Sequence, residues 1–305
     1  MTGILCVSTA CAAGSGDNQG GAGVGGAGGA KATTAATGAT ATATTGTAFM
    51  TSSTSTGIEG PAEVYGQSKD TLYKLDPVTK AVTIIGLFSG CGIAVPPGVQ
   101  DIALDKDSNI FATTLTDLYT VDKNTAACTH VATGAYPNSL SFVPAGTLDP
   151  SKEALVGYVP VIVGNKTQNQ YVRVDTVTGA ITNIGAPWNE TFISSGDIVS
   201  VINGPTYLTV KAVNAGTECK TADCLVEVNP QNGSFIKSYG LLNTYKQVFG
   251  LAFWAGSVYG FDNAGDLFEV KVQGNTNITT AITITPPLLG FWGAGSTTSA
   301  PPVPN

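Results

Sequence analysis

Charge is scarce in this chain. Only 11% of its 305 residues are Asp, Glu, Lys or Arg, and Lys and Arg together number 14. Helix surfaces need Glu, Lys, Arg and Gln, so the composition excludes a mainly helical protein. With a net charge of -7 it also lacks the clustered cations that grip a phosphate backbone, and nucleic acid is excluded as a partner. Histidine occurs once, as His130. A multi-histidine metal site within one chain is therefore impossible, and a Ser-His-Asp triad has one candidate base. No stretch of about 18 apolar residues exists to cross a membrane as a helix. No glycine-rich phosphate loop follows a strand and opens a helix, and no helix-loop-helix calcium loop is found.

What is abundant is Gly, Ala, Thr and β-branched or aromatic residues, and their distribution divides the chain. From about Ala12 to Gly57 the sequence is almost entirely Gly, Ala, Thr and Ser. It cannot bury enough apolar area to offset its chain entropy, so a disordered linker is expected over 12–61. Its root-mean-square span as a flexible chain is roughly 35–40 Å. A Pro-rich tail, 299–305, closes the sequence.

The folded part, 62–298, contains a recurring strand-turn-strand unit. It runs from Leu72 through Asp76 to Gly86, and recurs around Leu118 and Asp122, Tyr171 and Asp175, and Leu225 and Asn229. A degenerate fifth copy begins at Leu267. In each complete copy an alternating strand ends at an Asp or Asn whose side chain caps a turn, so these carboxylates read as turn formers rather than ligands. A second element precedes four of the hairpins, as Asp101-Ile102-Ala103-Leu104, Ser139-Leu140-Ser141-Phe142, Asp197-Ile198-Val199-Ser200 and Gly250-Leu251-Ala252-Phe253. Another strand follows each of them. Four strands per repeat, at about 47 residues per repeat, is the signature of a propeller blade.

The register at the ends decides the closure. The first hairpin is preceded by Val64-Tyr65-Gly66 but by no inner strand, whereas the stretch around Phe291-Trp292 looks like an inner strand without a blade. Placing this C-terminal strand inside the first blade closes the ring and leaves no free sheet edge. The fold expected is an all-β, five-bladed β-propeller, with blades near 63–86, 99–133, 138–184, 196–240 and 248–285. A β-sandwich is the rival, but it does not account for the regular four-strand unit. Inner strands such as Gly250-Leu251-Ala252-Phe253 and hairpins such as Leu72–Thr79 resemble those of bacterial propellers of the NHL and YncE-like kind. That resemblance covers most of the chain after residue 62 and implies architecture only. The Gly-His and Trp-Asp signatures of WD repeats are absent.

The six cysteines fall into three pairs by position. Cys219 and Cys224 flank a short polar loop, where a disulfide makes sense only in an oxidising compartment. A zinc site is the weaker reading, because the spacing is wide and further ligands are lacking. Cys91 and Cys128 pair if their strands are adjacent. At the N-terminus, Ser8-Thr9-Ala10-Cys11 followed by a Gly/Ser/Asp stretch resembles the end of a bacterial lipoprotein signal. The resemblance implies that 1–11 is a signal remnant, that Cys11 is lipidated, and that the protein is held in the bacterial cell envelope. The missing basic residues and short apolar stretch depart from that family, as a start codon assigned too late would explain. A disordered N-terminus with two incidental cysteines is the other reading.

Propellers host many functions, so the site must carry the argument. Asp101 and Asp197 occupy equivalent positions at the starts of inner strands in blades two and four, with Ser139 between them. Facing one mouth of the channel, across the opening from each other, they are candidate ligands for a divalent cation such as calcium, or an acid and base for glycoside or lactone hydrolysis. Each also reads as a cap on the loop entering its strand. Trp188, Phe192, Trp254, Phe291 and Trp292 read either as a sugar-stacking surface or as packing between blades, with Trp188 the best candidate for ligand contact. The expectation is a monomeric, lipid-anchored propeller, without a cofactor, that acts as a binding or scaffold module for a protein, a glycan or an envelope component at the cell surface. The alternative is an extracellular, cation-dependent hydrolase.

Overall fold

The computed structural model describes residues 62–92, 98–188, 192–213, 218–284 and 290–303. The signal remnant, Cys11 and the whole of the linker lie outside them. The described residues hold twenty strands in five four-stranded antiparallel sheets. No helix long and apolar enough to cross a membrane is found among them.

Blade one consists of β1 (Val64–Gln67), β2 (Thr71–Leu75) and β3 (Val82–Leu87), with β20 (Gly293–Ser296) as its inner strand. Val64 pairs with Ser296 and Gln67 with Gly293, so the C-terminal strand completes the first blade as expected. It begins at Gly293, immediately after the Phe291-Trp292 pair of the expected strand. Phe291 instead turns into the blade junction, fully buried against Phe261 and Tyr73.

The other blades run in simple order. Blade two comprises β4 (Asp101–Leu104), β5 (Ile110–Thr113), β6 (Asp117–Val121) and β7 (Cys128–Thr133). Blade three comprises β8 (Leu140–Val143), β9 (Ala154–Val163), β10 (Lys166–Val174) and β11 (Ile181–Trp188). Blade four comprises β12 (Phe192–Ser200), β13 (Thr206–Ala212), β14 (Cys224–Val228) and β15 (Phe235–Leu241). Blade five comprises β16 (Val248–Trp254), β17 (Ser257–Asp262), β18 (Leu267–Gln273) and β19 (Thr276–Ile282).

The core is distributed. Each hydrophobic cluster draws its side chains from two adjacent blades, as where Tyr158 and Tyr171 of blade three meet Leu208 and Val226 of blade four. No blade can bury its own face, which is why the ring must close. The repeated turn acids behave as the pattern implies. Asp76 Oδ1 accepts the amides of Val78 and Thr79, Asp122 Oδ1 those of Asn124 and Thr125, and Asp175 Oδ1 those of Val177 and Thr178. These amides hold each carboxyl below its ordinary pKa, and in the fourth copy Asn229 Oδ1 accepts from Gln231.

Strand direction gives the propeller an upper face, where the inner strands begin, and a lower face, where they end. Ala62, which leads into β1, and Pro301, which follows β20, both lie on the lower face: Thr297 N donates to Glu63 O, and Ala255 N to Pro301 O.

Candidate functional site

The inner strands converge on the axis at one row of residues: Asp101, Ser139, Asp197, Gly250 and Gly293. Asp101 and Asp197 are both fully buried. Asp101 Oδ1 accepts the amide of Ile102 at 2.8 Å and its Oδ2 that of Leu140, on blade three, at 2.7 Å. Asp197 Oδ1 accepts the amide of Ile198 at 2.6 Å and its Oδ2 that of Leu251, on blade five, at 2.5 Å. The amide of Ala294, on blade one, also bonds the Asp197 carboxyl. Five equivalent amides, one per blade, thus converge on two carboxyl groups.

The two carboxyls also hydrogen-bond each other. This corrects the expectation that they face one another across an open mouth: near the axis even non-adjacent blades bring their strands into contact. Burial raises both pKa values well above the ordinary carboxylate range, and for Asp101 the charge of Asp197 adds to the effect. The pair shares a proton across this contact. Gly293 makes room for it, since a Cβ there would stand 2.2 Å from Asp101 Oδ1. Ser139, in the same row, is turned to its own blade. Its Oγ accepts from the Tyr158 amide at 3.0 Å.

One residue earlier on each strand is a row that the sequence reading did not single out. Gln100, Asn138, Gly196, Phe249 and Trp292, one from each blade, line an axial pocket of about 270 Å³ on the upper face. It carries two side-chain amides and two aromatic rings, and no ionisable side chain among its lining residues. Gln100 Nε2 is buried without a hydrogen-bond partner there, a donor left for a ligand or water. The acid pair lies one position deeper.

The remaining candidates sit elsewhere. Trp188 is 9% exposed and packs with Tyr158, Phe192 and Phe235 between blades three and four. His130 lies on outer strand β7 and meets Asp117 at 3.0 Å, far from the axis. Cys91 bonds Cys128, tying the loop after blade one to the outer strand of blade two, and Cys219 bonds Cys224. The Glu218, Cys219 and Cys224 side chains lie close enough together for a metal, but the two sulfurs are committed to the disulfide.

No protein-family model matches the chain, and no curated protein matches it in sequence. Among solved structures it is similar to a protein of unknown function from Bacteroides caccae, at 14% identity over 76% of this chain and 77% of that one, with a TM-score of 0.37. It is similar to the Dos1 propeller at 9% identity, over 74% and 68% of the two chains, with a TM-score of 0.36. It is also similar to a periplasmic gluconolactonase of Pseudomonas aeruginosa at 10% identity, over 74% and 69%, with a TM-score of 0.35. Likenesses this distant carry over neither site residues nor activity.

Proposed function

We propose that this propeller is an extracytoplasmic binding module that receives the end of a neutral glycan in its axial pocket, held to the cell envelope through a lipidated Cys11. The observation that carries the reading is the pocket lining. Phe249 and Trp292 offer ring faces for a sugar, Gln100 and Asn138 offer amide donors and acceptors for its hydroxyls, and no charge competes. The volume, about 270 Å³, falls just below the range of drug-sized sites, about 300–1,000 Å³, and suits one sugar ring. Two disulfides support a location outside the reducing cytoplasm.

The hydrolase alternative would use Asp101 and Asp197 as cation ligands or as acid and base. Each of their four oxygens already accepts a backbone amide, and neither carboxyl is exposed, so both uses require the ring to open. The arrangement favours a structural clasp.

A neutral-glycan array, run beside a hydrolase panel with added calcium, tests the proposal. A captured glycan whose affinity falls about tenfold or more in Trp292→Ala supports it, as expected for loss of an aromatic hot spot. Turnover that disappears in the Asp101→Asn/Asp197→Asn double variant would sink it.

A further inference from the structure

The lower face carries a second cavity, at the junction where the ring closes. In the β2–β3, β6–β7, β10–β11 and β14–β15 hairpins, each turning on a capping Asp or Asn, the fourth residue after the cap is left-handed: Lys80 (φ 63°), Ala126 (58°), Gly179 (70°) and Gly233 (71°). In three of these turns the residue is small, and the turn lies directly against the preceding blade. A Cβ on Gly179 would stand 2.3 Å from Tyr136 Oη, and one on Gly233 2.3 Å from Tyr171 Cβ. Ala126 is fully buried. Only blade one places a long side chain in this conformation, which disfavours one.

Lys80 reaches from that turn to blade five. Its ammonium donates to Pro77 O at 2.5 Å and to the Tyr259 hydroxyl, and lies 4.3 Å from the Tyr259 ring centroid. Beside it is a cleft of about 360 Å³, with Trp254, Pro77 and Pro301 as apolar walls and Lys271 at the rim. The carboxylate that also lines it, Glu269, is engaged by Ser257 Oγ at 2.6 Å and by Lys271 at 3.8 Å. Burial lowers the Lys80 pKa, so a bound anion would repay the lost hydration of the ammonium.

We propose that this cleft is a binding site for a small carboxylate, with Lys80 and Lys271 holding the anion and Trp254 its apolar frame. An ammonium has three N–H groups, and two of those on Lys80 are already committed, which leaves one for a ligand oxygen. The site is separate from the axial pocket, on the opposite face, and does not rest on the glycan reading.

Calorimetric titration of the full chain with benzoate, and with uncharged benzamide as control, tests it. Benzoate should bind and benzamide should not. Lys80→Gly installs the residue of the blade-three and blade-four turns, so it should leave Tm unchanged or higher while weakening benzoate at least tenfold. Lys80→Met keeps the stem over Tyr259 without the charge and should weaken benzoate equally, which covers a Gly variant that fails to fold. Failure of the wild type to bind benzoate, or equal binding by the wild type and Lys80→Met, overturns the proposal and leaves Lys80 as packing on Tyr259.

Discussion

Asp101 hydrogen-bonds Asp197 at the propeller axis although blade three stands between their blades in the ring. The pair satisfies one amide from each of the five inner strands, so it joins blades that share no hydrophobic junction. It does so while holding a proton that an unfolded chain would release.

That proton sets a pH dependence. In the unfolded chain both carboxyls ionise near pH 4. In the folded protein both pKa values are raised, so between about pH 4 and the folded values the native state binds the extra proton, and stability falls as pH rises. Asp223, Asp262 and Glu153, raised by burial, act in the same direction. Urea unfolding between pH 4 and 9 should show this decline, with a slope of up to about 1.4 kcal/mol per pH unit from the pair's shared proton. A rise across the same range would refute the shared proton.

The two acids should respond unequally to substitution. Asp101→Asn keeps a donor toward Asp197 but leaves one of the Ile102 and Leu140 amides unpaired, a cost of about 1–3 kcal/mol, and should flatten the pH dependence. Asp197→Ala strips the acceptor from Ile198, Leu251 and Ala294 together and should cost more than about 3 kcal/mol. Equilibrium unfolding of the two variants at one pH gives the comparison.

Gly293→Ala should destabilise by about 1–3 kcal/mol or more, because the new methyl group meets Asp101 and backbone around it cannot yield. Gly274→Ala is the control for adding a methyl group. A Cβ at Gly274 meets nothing within 4 Å, so its cost is that of the left-handed turn alone. A smaller loss of Tm for Gly293→Ala than for this control would count against the packed axis.

The disulfides should differ in worth. Cys91 and Cys128 are 37 residues apart and Cys219 and Cys224 only 5. Loop-closure entropy assigns about 4 kcal/mol to the first and about 2 kcal/mol to the second. Double Ala variants, unfolded under oxidising conditions, should rank in that order. Equal losses would mean that native-state contacts at Cys219 outweigh the chain entropy.

Much of the ring was legible because its signals are local. Asp76, Asp122, Asp175 and Asn229 announce their turns through side-chain chemistry that needs no tertiary partner, and Val64 without an inner strand pointed to a C-terminal donor. The axis was less legible. Spacing aligned Asp101 with Asp197 but carried no information on how closely five inner strands approach, so contact read as separation. The pocket row was readable in principle, since Gln100, Asn138, Gly196 and Phe249 immediately precede the aligned residues. It passed unnoticed because amides and rings lack the conspicuous chemistry of carboxylates. Trp292 was seen, but its placement waited on where β20 begins.

Both ends of the propeller leave from the lower face, at Ala62 and beyond Ala300, while the axial pocket opens on the upper one. The molecule therefore has a built-in handle. Fixed to a sensor surface by a tag at either end, it presents the pocket to the flowing sample, and a glycan screen needs no search for a harmless attachment point. The Lys80 cleft lies on the handle side, so its ligands are better measured with the protein free in solution.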